Sequence, residues 1–288
     1  MIEDLIIYGL ISGAVYSLLA LGFTLIYGVA DIVNMAHGAF YMLGAYMFYI
    51  FAVEYFSLEP FLAVILAVIL IGFIGMIVYR VFIDPVLDDI VAIMVVTLGV
   101  ALVFQQIIIL HFTGSDIAIN LLSGSVDILG LPVDYHRILA FVVSLVLFAV
   151  LWVFIRKSKI GGAMRAVAQD REAAMLMGIN TERLYMLTMA ISASFAALAG
   201  ILIAAYTAAN PQMWTSPLGM SFAIVVLGGL GSIKGSLVGA FIIGYAEKAV
   251  TIWTGMAYLE GATSFVVLVV VLLLKPAGLF GKRREMEE

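Results

Sequence analysis

The chain has no cysteine, so disulfides and thiolate metal ligands are excluded. Its three histidines, His37, His111 and His136, are too scattered to form a metal-ligand set. Charged residues are only 11% of the chain, where a soluble domain averages about a quarter. No Gly-x-x-x-x-Gly-Lys-[Ser/Thr] phosphate loop occurs. The glycine cluster at 228–235 ends in Gly235-Ser236 and lacks the Lys-Ser/Thr pair. No Ser/His/Asp set or paired-carboxylate constellation supports an enzyme, so no catalytic residue and no resident cofactor are expected. The opening MIEDLIIYGL has no basic region of the kind that begins a cleavable signal. The net charge is −5 and the basic residues are grouped by membrane side, so nothing points to nucleic acid.

What is present is apolar. Hydrophobic residues are 65% of the chain and the mean hydropathy is +1.19. Such a chain cannot cover itself with polar surface, so lipid must be its main solvent. The 27 glycines suit helices that approach closely in a bilayer. The fold class expected is all-α, a polytopic integral membrane protein forming one domain over 1–288. A span needs roughly 20 apolar residues. Candidates lie at 5–29, 35–53, 60–83, 90–112, 137–155, 186–208, 217–231, 236–253 and 260–275. That makes about nine spans, within a range of about eight to ten.

Lys and Arg in short loops mark the cytoplasmic side. Arg80, the loop at 156–183 and the tail Lys282-Arg283-Arg284 should therefore share that side. An odd number of spans satisfies this, with the N-terminus outside and the C-terminus inside. The acidic connection at 113–136, with Asp116, Asp127 and Asp134, then falls outside. Leu-Ala-Leu-Gly22-Phe-Thr-Leu-Ile-Tyr27 also echoes Ala-Leu-Ala-Gly200-Ile-Leu-Ile-Ala-Ala-Tyr206. The two segments would run in opposite directions, as inverted repeats do.

The loop at 156–183 holds six of the 14 Lys and Arg: Arg156, Lys157, Lys159, Arg165, Arg171 and Arg183. Gly161-Gly162 should break the chain after the fifth span. Ala163 to Met177 is rich in strong helix formers, which predicts one helix, with Glu172 late in it. Gly178 stands where a C′ glycine would end it. A short helix with a small-residue face fits a cleft on another protein. The plainer alternative is a solvated basic loop that only orients the chain.

Polar residues within spans are costly and point to function by default. Asn34 and His37, with Gly38 and Gly44 beside them, fall where the first span turns into the second. They either line a solute path or cap and pack the second helix, with Asp31 or Asn34 as N-cap. Gln105 and Gln106 suit bonds between helices. Glu247 and Lys248 are expected to snorkel near an interface. Trp152, Trp214 and Trp253 fit interfacial anchors, and Pro217 fits the first position of a helix.

The pattern Glu172-Ala173-Ala174-x-x-x-Gly178 in a cytoplasmic loop resembles the coupling motif of ABC importer permeases. Leu18 to Gly28, then Val33-Asn34-Met35-Ala36-His37-Gly38 through Gly44-Ala45-Tyr46, resembles the opening of branched-chain amino acid permeases of the LivH type. Gly228-Gly229-Leu-Gly231-Ser-Ile-Lys-Gly235 resembles their late glycine-rich segment, and Lys275-Pro276-Ala-Gly278-Leu279-Phe280-Gly281 their ending. The resemblance runs in order along nearly the whole chain.

It implies a permease subunit in the plasma (inner) membrane, importing a branched-chain or other hydrophobic amino acid. The implied partners are a second permease subunit, identical or homologous, two ATP-binding cassette subunits that hydrolyse ATP, and an extracytoplasmic substrate-binding protein. It implies coupling through Arg165, Glu172, Ala173, Ala174 and Gly178, and a path by Asn34, His37, Gly38, Gly44, Gly229 and Gly231. The alternatives are an ABC permease for a sugar, urea or amide, and an ion-driven secondary carrier. The near absence of carboxylates within the spans argues against the carrier.

Overall fold

The computed structural model describes all residues except 113, 120, 123, 257, 258 and 282–288. The basic tail and Glu287 therefore lie outside the described residues. The first helix, α1 (Ile2–Ala30), is long and apolar and ends at Asp31, which takes a left-handed φ of 54° while its N–H reaches the Tyr27 carbonyl at 2.8 Å. Residues 32–36 are non-helical, and α2 (His37–Tyr49) follows, prolonged by a π-helical turn at Ile50–Glu54. Next, α3 (Pro60–Val78) starts with proline at its N-terminus. The Glu59 carboxylate caps it by accepting from the Phe61 and Leu62 N–H groups at 3.0 and 3.2 Å. A π turn (Tyr79–Ile83) leads from α3 towards α4 (Ile90–Phe112).

The connection to α5 (Tyr135–Lys157) is not purely helical. It folds into a two-stranded antiparallel hairpin, β1 (Ser125–Ile128) and β2 (Leu131–Asp134). Leu129 and Gly130 both have positive φ, 55° and 82°, as a tight hairpin turn demands. This departs from the all-α expectation, although the chain is mostly helical.

Among the described residues, six helices are long and apolar enough to cross a membrane: α1, α3 with its extension to Val86, α4, α5, α8 (Thr181–Thr207) and α10 (Ile233–Thr254). The apolar helices α9 (Thr215–Gly228) and α11 (Glu260–Leu274) are shorter. Burial separates their roles. The apolar stretch of α1 is 78% buried within the protein and that of α8 56%, whereas α3, α4 and α5 keep only 33%, 28% and 22% buried. So α1 and α8 form the axis, and α3, α4 and α5 offer wide faces to lipid or to another chain.

Glycine lets the axis pack closely. A methyl group at Gly44 would strike the Ala197 backbone, and one at Gly200 the Tyr41 carbonyl, so α2 and α8 touch backbone to backbone. In the same way Gly13 of α1 meets Gly244 of α10.

The bundle has two ends. At one, Tyr8 of α1 reaches the Pro132 carbonyl of the hairpin at 3.5 Å, and Ile117 bridges Ala209. At the other end lies the loop after α5. There Arg80 pairs with Asp84 at 2.7 Å and with Glu182, and Arg171 pairs with Asp88 at 3.8 Å. Arg80 and the loop at 156–183 thus share one face, as expected from their charge.

Candidate functional site

The loop folds as two helices rather than one. Ser158 caps α6 (Lys159–Gln169) by accepting from the Gly161 N–H at 2.8 Å. Asp170 then leaves the helical region (φ −155°, ψ 110°) and caps α7 (Arg171–Leu176) by accepting from the Ala173 N–H at 2.9 Å. Gly161 and Gly162 lie inside the first turn of α6 and do not break the chain. The chain leaves the helix at Ser158, just ahead of the glycines, and again at Asp170, because Ser and Asp side chains compete for backbone N–H groups and favour caps over helix interiors. Glu172 consequently sits in the first turn of α7, where a carboxylate suits the positive end of the helix.

Gly178 closes α7 as the sequence leads one to expect. Its φ is +86°. The Ile179 N–H reaches the Ala174 carbonyl at 3.1 Å and the Gly178 N–H reaches the Met175 carbonyl at 2.9 Å, which is a Schellman closure. Of the expected coupling residues, Ala174 is buried, while Arg165, Glu172, Ala173 and Gly178 are exposed. Sequence reasoning passed over Met175, Leu176 and Met177. These are exposed, Leu176 at 88% and Met177 at 84%, and form an apolar tip on an otherwise polar loop. Their clue was an apolar Met-Leu-Met run inside a basic segment.

The elbow is tied to the bundle. The Arg165 guanidinium donates to the Ile155 carbonyl at the end of α5, and Gly161 packs on the same turn. A cleft of about 100 Å³ beside it is lined by Thr24, Gly28, Met164, Arg165, Ala168 and Gly231. Gly231, expected on the solute path, thus lies with Arg165 of the coupling set. Both Gly229 and Gly231 take positive φ, 100° and 78°, in the turn between α9 and α10.

The remaining path candidates gather deeper. Asn34 precedes α2, in the non-helical return, while His37 is the first residue of that helix. Neither Asp31 nor Asn34 is the N-cap; that position falls to Ala36 without a side-chain bond. The Asn34 carbonyl oxygen Oδ1 accepts from the Ala36 N–H at 3.0 Å, and its amide faces the Met189 sulfur at 3.6 Å. His37 and Asn34 are both fully buried. Gly38 faces the Trp214 carbonyl at the start of α9, while Gly44, farther along α2, faces α8. The N-terminal ends of α2 and α9 therefore meet inside the bundle.

Other polar residues correct the expectations. Trp214 is buried, not interfacial, and its Nε1 donates to Gln105 at 3.0 Å. Pro217 is the third residue of α9, not the first. Glu247 does not snorkel; it is fully buried, while Lys248 pairs with Glu260 at 2.7 Å. Long-range packing of α10 against α1 and α11 covers it, which spacing along one helix does not reveal.

The family described as "Branched-chain amino acid transport system / permease component" matches residues 5–274. The high-affinity branched-chain amino acid transport system permease protein LivH of Salmonella typhimurium is 32% identical, over 97% of this chain and 95% of that protein. BraD of Pseudomonas aeruginosa, of the same description, is 31% identical over 98% and 96%. A chain of PsaBC from Streptococcus pneumoniae, solved in complex with a Fab, shares the fold with a TM-score of 0.54. It is 13% identical and the likeness covers 96% of this chain and 97% of that one.

Proposed function

The chain belongs to the family of permease components of branched-chain amino acid transport systems, and from that premise we propose how it works and with what. It forms the membrane path of an ABC importer for a branched-chain or similar hydrophobic amino acid. A second permease subunit completes the path, two ATP-binding cassette subunits supply the hydrolysis, and a substrate-binding protein delivers the solute. The observation that carries this reading is the capped elbow of α6 and α7. It presents Leu176 and Met177 to solvent at the end of a rigid turn, and a solvated orienting loop has no need of such a tip.

The face bearing this elbow is the cytoplasmic one, and the hairpin face is outside with the N-terminus. Lys and Arg gather at the elbow, while Asp116, Asp127 and Asp134 lie in the outer connection. Counting α2, α9 and α11 as crossings beside the six longer helices gives about nine.

An inverted repeat is supported by an exchange of partners. The helix α8 packs on α2 and α3, at Gly44, Gly72 and Gly75. The helix α1 packs on α9 and α10, at Gly13 and Gly244. Each long helix of one half thus embraces the two helices that follow the long helix of the other. Both long helices also end in a positive-φ residue that is not glycine, Asp31 at 54° and Ala208 at 67°, followed by a short non-helical return into the bundle.

Mechanistically, closure of the ATPase subunits pushes on Glu172, Ala173 and the apolar tip. Arg165 and Gly161 pass this displacement to the end of α5. The cleft at Gly28 and Gly231 passes it to the ends of α1 and α10. Asn34, His37 and Gly38, where α2 meets α9, form the junction about which the halves rock.

The test is reconstitution of the chain with its ATPase subunits and binding protein in proteoliposomes. ATP-dependent uptake of labelled leucine, isoleucine or valine is the expected result. Uptake of a sugar or amide in their place would overturn the substrate assignment, and uptake driven by an ion gradient without ATP would overturn the ABC reading.

A further inference from the structure

The described residues contain one fully buried carboxylate in a membrane-crossing helix, Glu247 of α10. It sits where α10 packs between α1 and α11. The Ser264 hydroxyl of α11 donates to its Oε1, and the Tyr16 hydroxyl of α1 lies beside the same carboxylate. Its second oxygen, Oε2, has no hydrogen-bond partner among the described residues. An acidic group held away from water in a membrane bundle is costly and is kept only where something meets it.

The neighbouring cation is already engaged. Lys248, the next residue, places its Nζ 2.7 Å from Glu260, and the Thr251 hydroxyl donates to the same Glu260 oxygen at 2.9 Å. Arg137, at the hairpin end, stacks on Tyr8 and Tyr206 at 4.8 and 5.1 Å and pairs with Asp134 at 3.7 Å. The cluster of Glu247, Lys248 and Glu260 thus holds two carboxyl groups and one ammonium. Its open acceptor is Oε2. The surroundings are the Ser264 and Tyr16 hydroxyls, with Leu268, one turn after Ser264 on α11, in the same buried apolar cluster as Tyr16, a setting for a small cation bearing an apolar tail.

We propose that Glu247, with Tyr16 and Ser264, is a transient binding site for the ammonium group of the transported amino acid. Oε2 receives the ammonium while Ser264 and Tyr16 hold the carboxylate in place. This assignment rests on the reading of the chain as an amino acid permease. It places a recognition step within the membrane, after release from the binding protein. Selection there favours solutes with a free amine, whatever their apolar side chain.

The variant Glu247→Gln keeps the size of the side chain and an acceptor for Ser264, but it cannot carry a charge. It also copies a protonated glutamic acid. In the reconstituted complex, leucine uptake should fall at least tenfold, with ATP hydrolysis in the absence of binding protein and thermal stability unchanged. Wild-type uptake in Glu247→Gln would mean that Glu247 serves only as a neutral structural group and would sink the proposal. A second measurement does not depend on the variant folding. Without binding protein, the wild-type complex should be stabilised against heat by isoamylamine, which has the ammonium, and not by 4-methylpentanoate, which lacks it. Equal responses to the two probes would also overturn the assignment. A wild-type complex that does not import amino acids at all refutes the underlying reading, whereas one that does so with an indifferent Glu247 refutes this inference alone.

Discussion

The His37 Nε2 lies 3.0 Å from the Leu19 carbonyl oxygen of α1, and its Nδ1 lies 3.4 Å from the Ser192 hydroxyl of α8. With Nε2–H donating to the carbonyl and Nδ1 accepting from the serine, a neutral ring satisfies both partners. One side chain at the start of α2 thereby pins the two axial helices. Phe23 meets it edge-on at 5.6 Å, and the ring is fully buried.

Of the two sequence readings of His37, this geometry favours the packing one. A path residue acts on flux, whereas a pin acts on folding. His37→Ala removes two buried hydrogen bonds and leaves a cavity, which costs about 2–4 kcal/mol. The expected outcome is lower yield and a lower melting temperature in detergent, in step with lost uptake. A variant with intact stability and reduced uptake would return His37 to the solute path.

The axial seam makes a sharper prediction through a pair of glycines. At Gly200 a methyl group has only the Tyr41 backbone to meet, so Gly200→Ala must push α2 away from α8. Overpacking of this kind costs about 1–3 kcal/mol or more. At Gly99 nothing lies within 4 Å of the added carbon, and alanine there gains about 0.5–1 kcal/mol in helix propensity. Melting of the purified protein should fall for the first variant and hold or rise for the second. Equal responses would show that the seam does not rest on backbone approach.

What could be read from the sequence follows from range. Hydropathy windows located the long helices, and the Gly178 turn was visible because a C′ glycine is set by residues beside it. The break at Asp170 was missed, because Ala, Met and Arg on both sides outweigh one polar residue in any propensity sum, and the cap depends on a single bond to Ala173. The inward course of the returns before α2 and α9 was missed for another reason: Asp31, Asn34, Asn210, Pro211 and Gln212 read as ordinary turn residues. Only packing distinguishes them, as with Gly38 on the Trp214 carbonyl. Glu247 looked like an interfacial charge until α1 and α11 closed over it.

The orientation can be tested by labelling, because the chain has no native cysteine. Asp127 is exposed in β1 and Ala168 is exposed in α6, on opposite faces of the bundle. In intact cells an impermeant thiol reagent should modify Asp127→Cys and spare Ala168→Cys until the membrane is opened. Glu287→Cys, in the tail, should behave like Ala168→Cys. Labelling of the loop or tail position from outside would reverse the orientation or change the number of crossings.

The coupling elbow offers the last test. The φ of +86° at Gly178 is disfavoured for a residue with a side chain, and most of all for a β-branched one. Nothing lies within 4 Å of an added Cβ there, so Gly178→Val acts through backbone strain alone, costing on the order of 1–2 kcal/mol. That cost falls on the Schellman closure and leaves the membrane helices untouched. Insertion and permease yield should therefore stay normal, while co-purification of the ATPase subunits weakens and uptake is lost. Leu176→Ala removes apolar contact surface without touching the turn. It should weaken the same association and leave the closure intact. If both variants retain full complex yield and full uptake, the tip of α7 is not the docking point. If only Gly178→Val fails, the turn matters and its exposed apolar residue does not.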